Sequence, residues 1–261
     1  MQIGIFFETA VMLLIPFLAV LTALFLGQRY GSYSMKKSPE LQQSAVGSVV
    51  GAVFGLFAFV LAFTFQIAAN HYDARKSKLL EEVTNIRTTY LRAGLIDEPI
   101  CSDTKKLLVD YVDQRVELAR DFSKLDLVLS NSQQILDTLW SYAESLAKRD
   151  RSSEVYALYT SSVNELVDNY NQRITVALEY RIPVAVFYVL YLILFFSMFL
   201  LGYHFGISGK GSFKINVLMA IVFAVVMFLI TALDRPEMGL AKINQKPLYT
   251  LQNQFHGQQA H

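Results

Sequence analysis

The sequence predicts an all-α membrane protein: four transmembrane helices, with an extramembrane helical bundle formed between, and continuous with, the second and third. Three observations carry this. The chain is 53% hydrophobic and only 17% charged, a membrane-protein composition. Four stretches, at about 5–26, 45–69, 182–203 and 213–233, reach spanning length with almost no charge. Between Gly55 and Gly94 the chain runs for 38 residues without glycine or proline, passing from FGLFAFVLAFTF into NHYDARKSKLLEE. At helical rise that run is roughly 57 Å long against a hydrocarbon core of roughly 30 Å, so about half of it projects into water.

The first span contains Pro16, which a transmembrane helix tolerates with a kink. Ser38-Pro39-Glu40 offers the second span a cap, a proline at the first helical position and an acid near the positive end of the dipole. The third begins at Pro183, where a kink and not a full stop is expected, and the fourth follows the tight turn Gly209-Lys210-Gly211-Ser212, which ends in a cap residue. Residues 1–69 thus hold spans one and two, 70–181 the extramembrane domain, 182–235 spans three and four, and 236–261 a tail. The polar end of that tail, FHGQQAH with His256 and His261, reads as disordered.

After Pro99 the extramembrane domain has no glycine or proline until Pro183. Apolar residues recur at helical spacing at Leu79, Val83, Ile86 and Tyr90, at Leu108, Val112, Val116 and Ala119, at Leu136, Leu139, Ala143 and Leu146, and at Val163, Leu166, Tyr170, Ile174 and Ala177. These predict a four-helix bundle with breaks at 94–102, 130–132 and 150–153, the second marked by a Ser130/Gln133 capping box.

Charge is partitioned. Residues 70–181 carry 15 of the 23 Lys and Arg and 18 of the 22 Asp and Glu, a net of −3 that leaves +4 for the rest. Basic residues alternate with acids instead of forming a patch, which argues against nucleic acid as a partner. Basic residues around the termini and the large domain, including Arg75, Lys76, Lys78, Arg173, Arg181, Arg235, Lys242 and Lys246, outnumber Arg29, Lys36, Lys37, Lys210 and Lys214 on the other side, which predicts a cytoplasmic domain.

The second span holds the sharpest constellation. Gly47, Gly51 and Gly55 repeat every four residues and continue on nearly the same face through Phe59, Phe63 and Ile67. Such a stripe admits a close helix neighbour in lipid, either within the subunit or across an oligomeric seam or pore. Gln66 and Asn70 follow one turn apart, with His71 and Tyr72 beside them. These amides read either as an ion-stabilising pore mouth below a Phe59/Phe63 constriction that gates by dewetting, or as interfacial anchoring. Asp73, Arg75 and Lys76 read as a solvated belt. Asp234 and Arg235 place an opposite-charge pair where the fourth span ends at Pro236, which suggests a clasp to the Arg75 or Asp73 belt or ion selection at a vestibule.

Enzyme chemistry finds little support. His71, His204, His256 and His261 have no metal spacing, and no phosphate loop or nucleophile elbow exists. The carboxylates of the bundle read as solvated faces and Cys101 as an incidental thiol, so no metal or cofactor is expected. Apart from Glu8, no charge lies well inside a span, which argues against a proton- or ion-coupled transporter.

The stretch LAFTFQIAANHYDARKSKLLEEVTNIRTTYLRAGLIDEP, starting at Leu61, together with LDRPEMGL, starting at Leu233, resembles the bestrophin-like family of bacterial membrane proteins. That family is similar to the bestrophins, pentameric anion channels whose second helix lines the pore and ends in an asparagine-rich tract before a tyrosine-aspartate-arginine run. Asn70, Tyr72, Asp73 and Arg75 match that run loosely, whereas Ile67, Ala68 and Ala69 replace an arginine and paired asparagines, and the paired aromatics after the aspartate are absent. The resemblance implies a homo-oligomeric, anion-preferring channel of the bacterial inner membrane, a pentamer contacting lipid and small inorganic ions. The alternative is a non-conducting scaffold or sensor whose bundle docks a partner.

Overall fold

The structure is a computed structural model of the 261-residue chain and describes residues 2–37, 43–209, 211–235 and 242–259. The described residues form eight α-helices: α1 (Gln2–Lys37), α2 (Gln43–Ala93), α3 (Ile100–Arg120), α4 (Leu125–Arg149), α5 (Glu154–Ile174), α6 (Val184–Ser208), α7 (Phe213–Asp234) and α8 (Lys246–Gln259). Among the described residues there is no strand, and four helices are long and apolar enough to cross a membrane. The chain divides into two compact units, Met1–Tyr72 with Tyr180–Lys242, and Asp73–Glu179 with Ile243–His261.

In the first unit α1 lies along α6 and touches α7. The approach is closest at Gly27 and Gly31 of α1 and Gly202 and Gly206 of α6. A Cβ at Gly202 would overlap the Leu24 carbonyl oxygen, and one at Gly206 the Gln28 carbonyl oxygen. Two four-residue glycine repeats therefore interlock backbone against backbone, the small-residue packing that membranes favour. Val20, Ala23, Leu24, Phe57, Leu190, Leu194, Met198, Ala220 and Met227 fill the core beside them. Pro16 sits inside α1. Gly209 closes α6 with φ +65°, a left-handed position suited to glycine. Ser212 precedes α7 as expected but makes no capping bond with its side chain. The expected cap at Ser38-Pro39-Glu40, together with Lys210, lies outside the described residues.

The second unit is built from α3, α4, α5, α8 and the part of α2 beyond Tyr72. The apolar stripes meet in one core that includes Ile86, Leu108, Val112, Val116, Leu136, Leu139, Ala143, Leu146, Val163, Leu166 and Tyr170. Three sequence expectations are corrected here. There is no break at 130–132: α4 runs unbroken through it with Ser132 fully buried, and Gln133 donates to Asp137 at 2.8 Å. The turn comes earlier, where the Asp121 carboxylate accepts from the Ser123 N–H (3.1 Å) and hydroxyl (2.7 Å) and starts a 3-10 turn at Phe122–Lys124. The polar end FHGQQAH, expected as disordered, begins inside α8, where Phe255 is buried in the same core as Leu248 and Leu251 and stacked on Tyr90 at 4.3 Å. Its spacing of three and four is an amphipathic stripe.

The third correction concerns the entry to the third span. Continuity fails there: a π-helical turn at Thr175–Glu179 follows α5, residues 180–183 are non-helical, and α6 starts only after Pro183. Proline pushes the residue before it out of helical geometry. The Ile182 N–H that this strands is taken by the Asp234 carboxylate at 3.0 Å.

Candidate functional site

Of the four spans α2 is the least covered by its own chain. Only 11% of its apolar window is buried, against 22–33% for the other three. Its covered side is held by Phe57, which meets Phe223 at 5.5 Å and Phe54 edge-on at 6.4 Å, and by Val50, Thr64 and Ala68. The Thr64 hydroxyl turns inward onto the Val60 carbonyl oxygen at 2.8 Å, so this polar group is satisfied within the helix.

The opposite side is open. Gly51, Gly55, Phe59, Phe63, Gln66 and Asn70 are all exposed, Phe59 at 69% and Phe63 at 62%. A Cβ at Gly51 or Gly55 would meet nothing within 4 Å, and one at Gly47 only the His204 ring at 3.6 Å. Among the described residues, Gly51 and Gly55 therefore contact no other helix. The glycines that pack helix on helix in this chain are those of α1 and α6, which sequence reasoning overlooked. Their four-residue spacing was the available signal.

Gln66 donates to the Asn70 side-chain oxygen at 2.8 Å, one turn apart on the exposed side. An amide pair keeps donor and acceptor capacity beyond one mutual bond, so the face ends in groups able to replace part of an ion's hydration. Ile67, half-buried, packs inward near Ala68, Ile182 and Ile230 and not along the open stripe.

Where the same helix turns polar, the His71 Nδ1 lies 3.1 Å from Asp234 Oδ1. Asp234, 2% exposed, also receives the Ile182 N–H, so the end of the fourth span engages His71 and the backbone before α6, where the sequence expectation named the Arg75 or Asp73 belt. Tyr72 is half-buried, Asp73 and Arg235 are exposed, and Arg75 is buried with an interaction of its own. Pro236 lies outside the described residues.

The second unit holds a charged cluster that sequence reasoning missed. Glu82 is fully buried, paired with Arg115 (3.2 Å) and Arg173, and the Tyr111 hydroxyl donates to it at 2.7 Å. Burial pushes the Tyr111 phenol up to about 12 and draws the Arg173 guanidinium down to about 10. The signal was positional: Glu82 falls between Leu79 and Ile86, Arg115 beside Val116, and Arg173 beside Ile174, all on apolar stripes. Cys101 is buried, and desolvation raises its thiol above the ordinary range, which suits an inert packing role. Among the described residues no three His, Cys, Asp or Glu side chains converge as metal ligands.

A family model for the bestrophin-like domain matches residues 9–248. Similar solved structures include a leucine-to-threonine variant of a bacterial bestrophin homologue from Klebsiella pneumoniae, 14% identical with a TM-score of 0.67 over 97% of this chain and 100% of that one. A second crystal structure of that homologue is 15% identical with a TM-score of 0.61 over 94% and 95% of the two chains. A proline-to-alanine variant of a membrane protein is 13% identical with a TM-score of 0.66 over 97% and 99%. No curated protein matches this chain in sequence.

Proposed function

The chain belongs to the bestrophin-like family, and from that membership we propose that it forms a homo-oligomeric, anion-preferring ion channel whose α2 helices line the conducting path. One observation supports this above the others: α2 leaves Gly51, Gly55, Phe59, Phe63, Gln66 and Asn70 uncovered by its own chain. In hydrocarbon, small residues gain from a close helix neighbour, and exposed amides need water or protein. Copies of α2 arranged around an axis meet both needs. Gly47, Gly51 and Gly55 then let the helices approach at one end, Phe59 and Phe63 form a constriction that gates by dewetting, and Gln66 with Asn70 lines the inner mouth. Asn70 amide hydrogens suit a partly dehydrated anion, which is how a neutral mouth favours negative charge.

A pentamer is the assembly we infer from the resemblance to bestrophins, with Tyr72, Asp73 and Arg75 leading α2 into the second unit and Asp234, Arg235 and Pro236 ending α7. The excess of basic residues flanking that unit favours a cytoplasmic location for it, in a protein of the bacterial inner membrane. The test is halide flux from liposomes carrying the purified protein. Wild type is expected to conduct and Phe63→Ala to conduct faster. No flux from either overturns the channel reading and leaves a non-conducting scaffold or sensor.

A further inference from the structure

Asp234 is the one carboxylate buried in the first unit among the described residues. A carboxylate buried there is costly unless it is paired, so its contacts matter more than its presence. Its Oδ1 accepts the Ile182 N–H at 3.0 Å and sits 3.1 Å from His71 Nδ1. One oxygen thereby joins the end of α7, the non-helical residues before α6, and α2 at the residue directly after Asn70. The His71 side chain is 20% exposed, within reach of protons, and its ring lies 6.3 Å from that of Tyr180.

We propose that His71 and Asp234 form a proton-operated latch that sets how firmly α2 is held at the mouth of the conducting path. A neutral imidazole gives this contact one ordinary hydrogen bond. A protonated ring gives it a charge-assisted bond, about twice as strong, in a setting partly shielded from water. The latched state is the one in which Gln66 and Asn70 occupy the open side of α2. Acid therefore favours that presentation.

Other charged groups adjoin the contact along the chain. Arg235 follows Asp234 and is exposed, Arg181 lies between Tyr180 and Ile182, and Asp73 and Arg75 follow His71 along α2. Arg75, Arg181 and Asp234 each hold further interactions. Histidine is the side-chain type whose ordinary range falls between about pH 5 and 8.

The latch rests on the channel reading for its effect on ions, but its contacts are testable without it. Amide exchange of the Ile182 segment is measured on the full chain in detergent at about pH 5.5 and about pH 7.5, with intrinsic rates corrected. Wild type is expected to protect the segment more at the lower pH, His71→Gln to lose the pH dependence, and His71→Arg to keep the protection at both. Equal pH dependence in wild type and His71→Gln overturns the latch. In liposomes, halide flux is expected to rise about fivefold on acidification in wild type and to stay flat in His71→Gln. An equal rise in both also overturns it. Protection that behaves as expected with no flux at either pH removes the channel reading and leaves the latch as a property of the fold.

Discussion

Glu82 shows how one side chain can bind three helices. Its carboxylate lies in the core of the second unit between guanidiniums from α3 and α5, with a phenol completing its coordination. Removing one partner strands a buried charge, so Arg115→Ala is expected to cost about 3–5 kcal/mol in denaturant unfolding, and Tyr111→Phe about 1.5–3 kcal/mol. Solvated carboxylates behave differently. Asp121 and Asp150 each accept a serine hydroxyl and N–H, and these bonds hold both carboxyls below the usual carboxylate range. A lowered folded value means the stabilisation is present above the unfolded value and is lost as pH falls through the folded one. Melting temperature followed from about pH 6 to about pH 3 should therefore fall less steeply in Asp150→Asn than in wild type. The charged cluster was legible in part, since a carboxylate and two arginines on apolar stripes need partners. The pairing of His71 with Asp234 was not, because 163 positions separate them and no local period links them.

Among whole helices, glycine position decides which surfaces are already occupied. Gly206→Leu drives a side chain into the α1 backbone and is expected to abolish a folded monomer, whereas Gly51→Leu enters open space and should spare it while disrupting assembly. Circular dichroism and size-exclusion of both variants separate the two outcomes. Helix α8 makes a comparable point in the second unit. Phe255→Ala removes a buried ring stacked on Tyr90 and should cost about 3–5 kcal/mol in unfolding. Sequence periodicity identified most helices because their apolar stripes are long. It misplaced the turn before α4 because two serines and an asparagine resemble a cap, while Asp121 three residues ahead of Lys124 does the work through a side-chain turn. It passed over α8 because a short stripe in a polar end looks like a tail.

For the molecule as a whole, four spans and a helical unit were readable from hydropathy and breaker spacing alone, which are properties of single segments. The side of α2 that stays uncovered was not, since coverage depends on which other helices arrive. A native mass measurement in mild detergent is expected to give five copies, and a monomer would remove the conducting assembly. The interlock of α1 with α6 has a further consequence, for biogenesis. Gly31 and Gly202 are far apart in the chain, and α6 emerges only after the intervening residues are made. At roughly 5–20 residues per second, the first helix waits in the bilayer for roughly ten to thirty seconds before its glycines find their counterpart. During that interval its notched surface has no α6 to receive, and a truncated product ending before α6 is expected to leave that notch open to lipid.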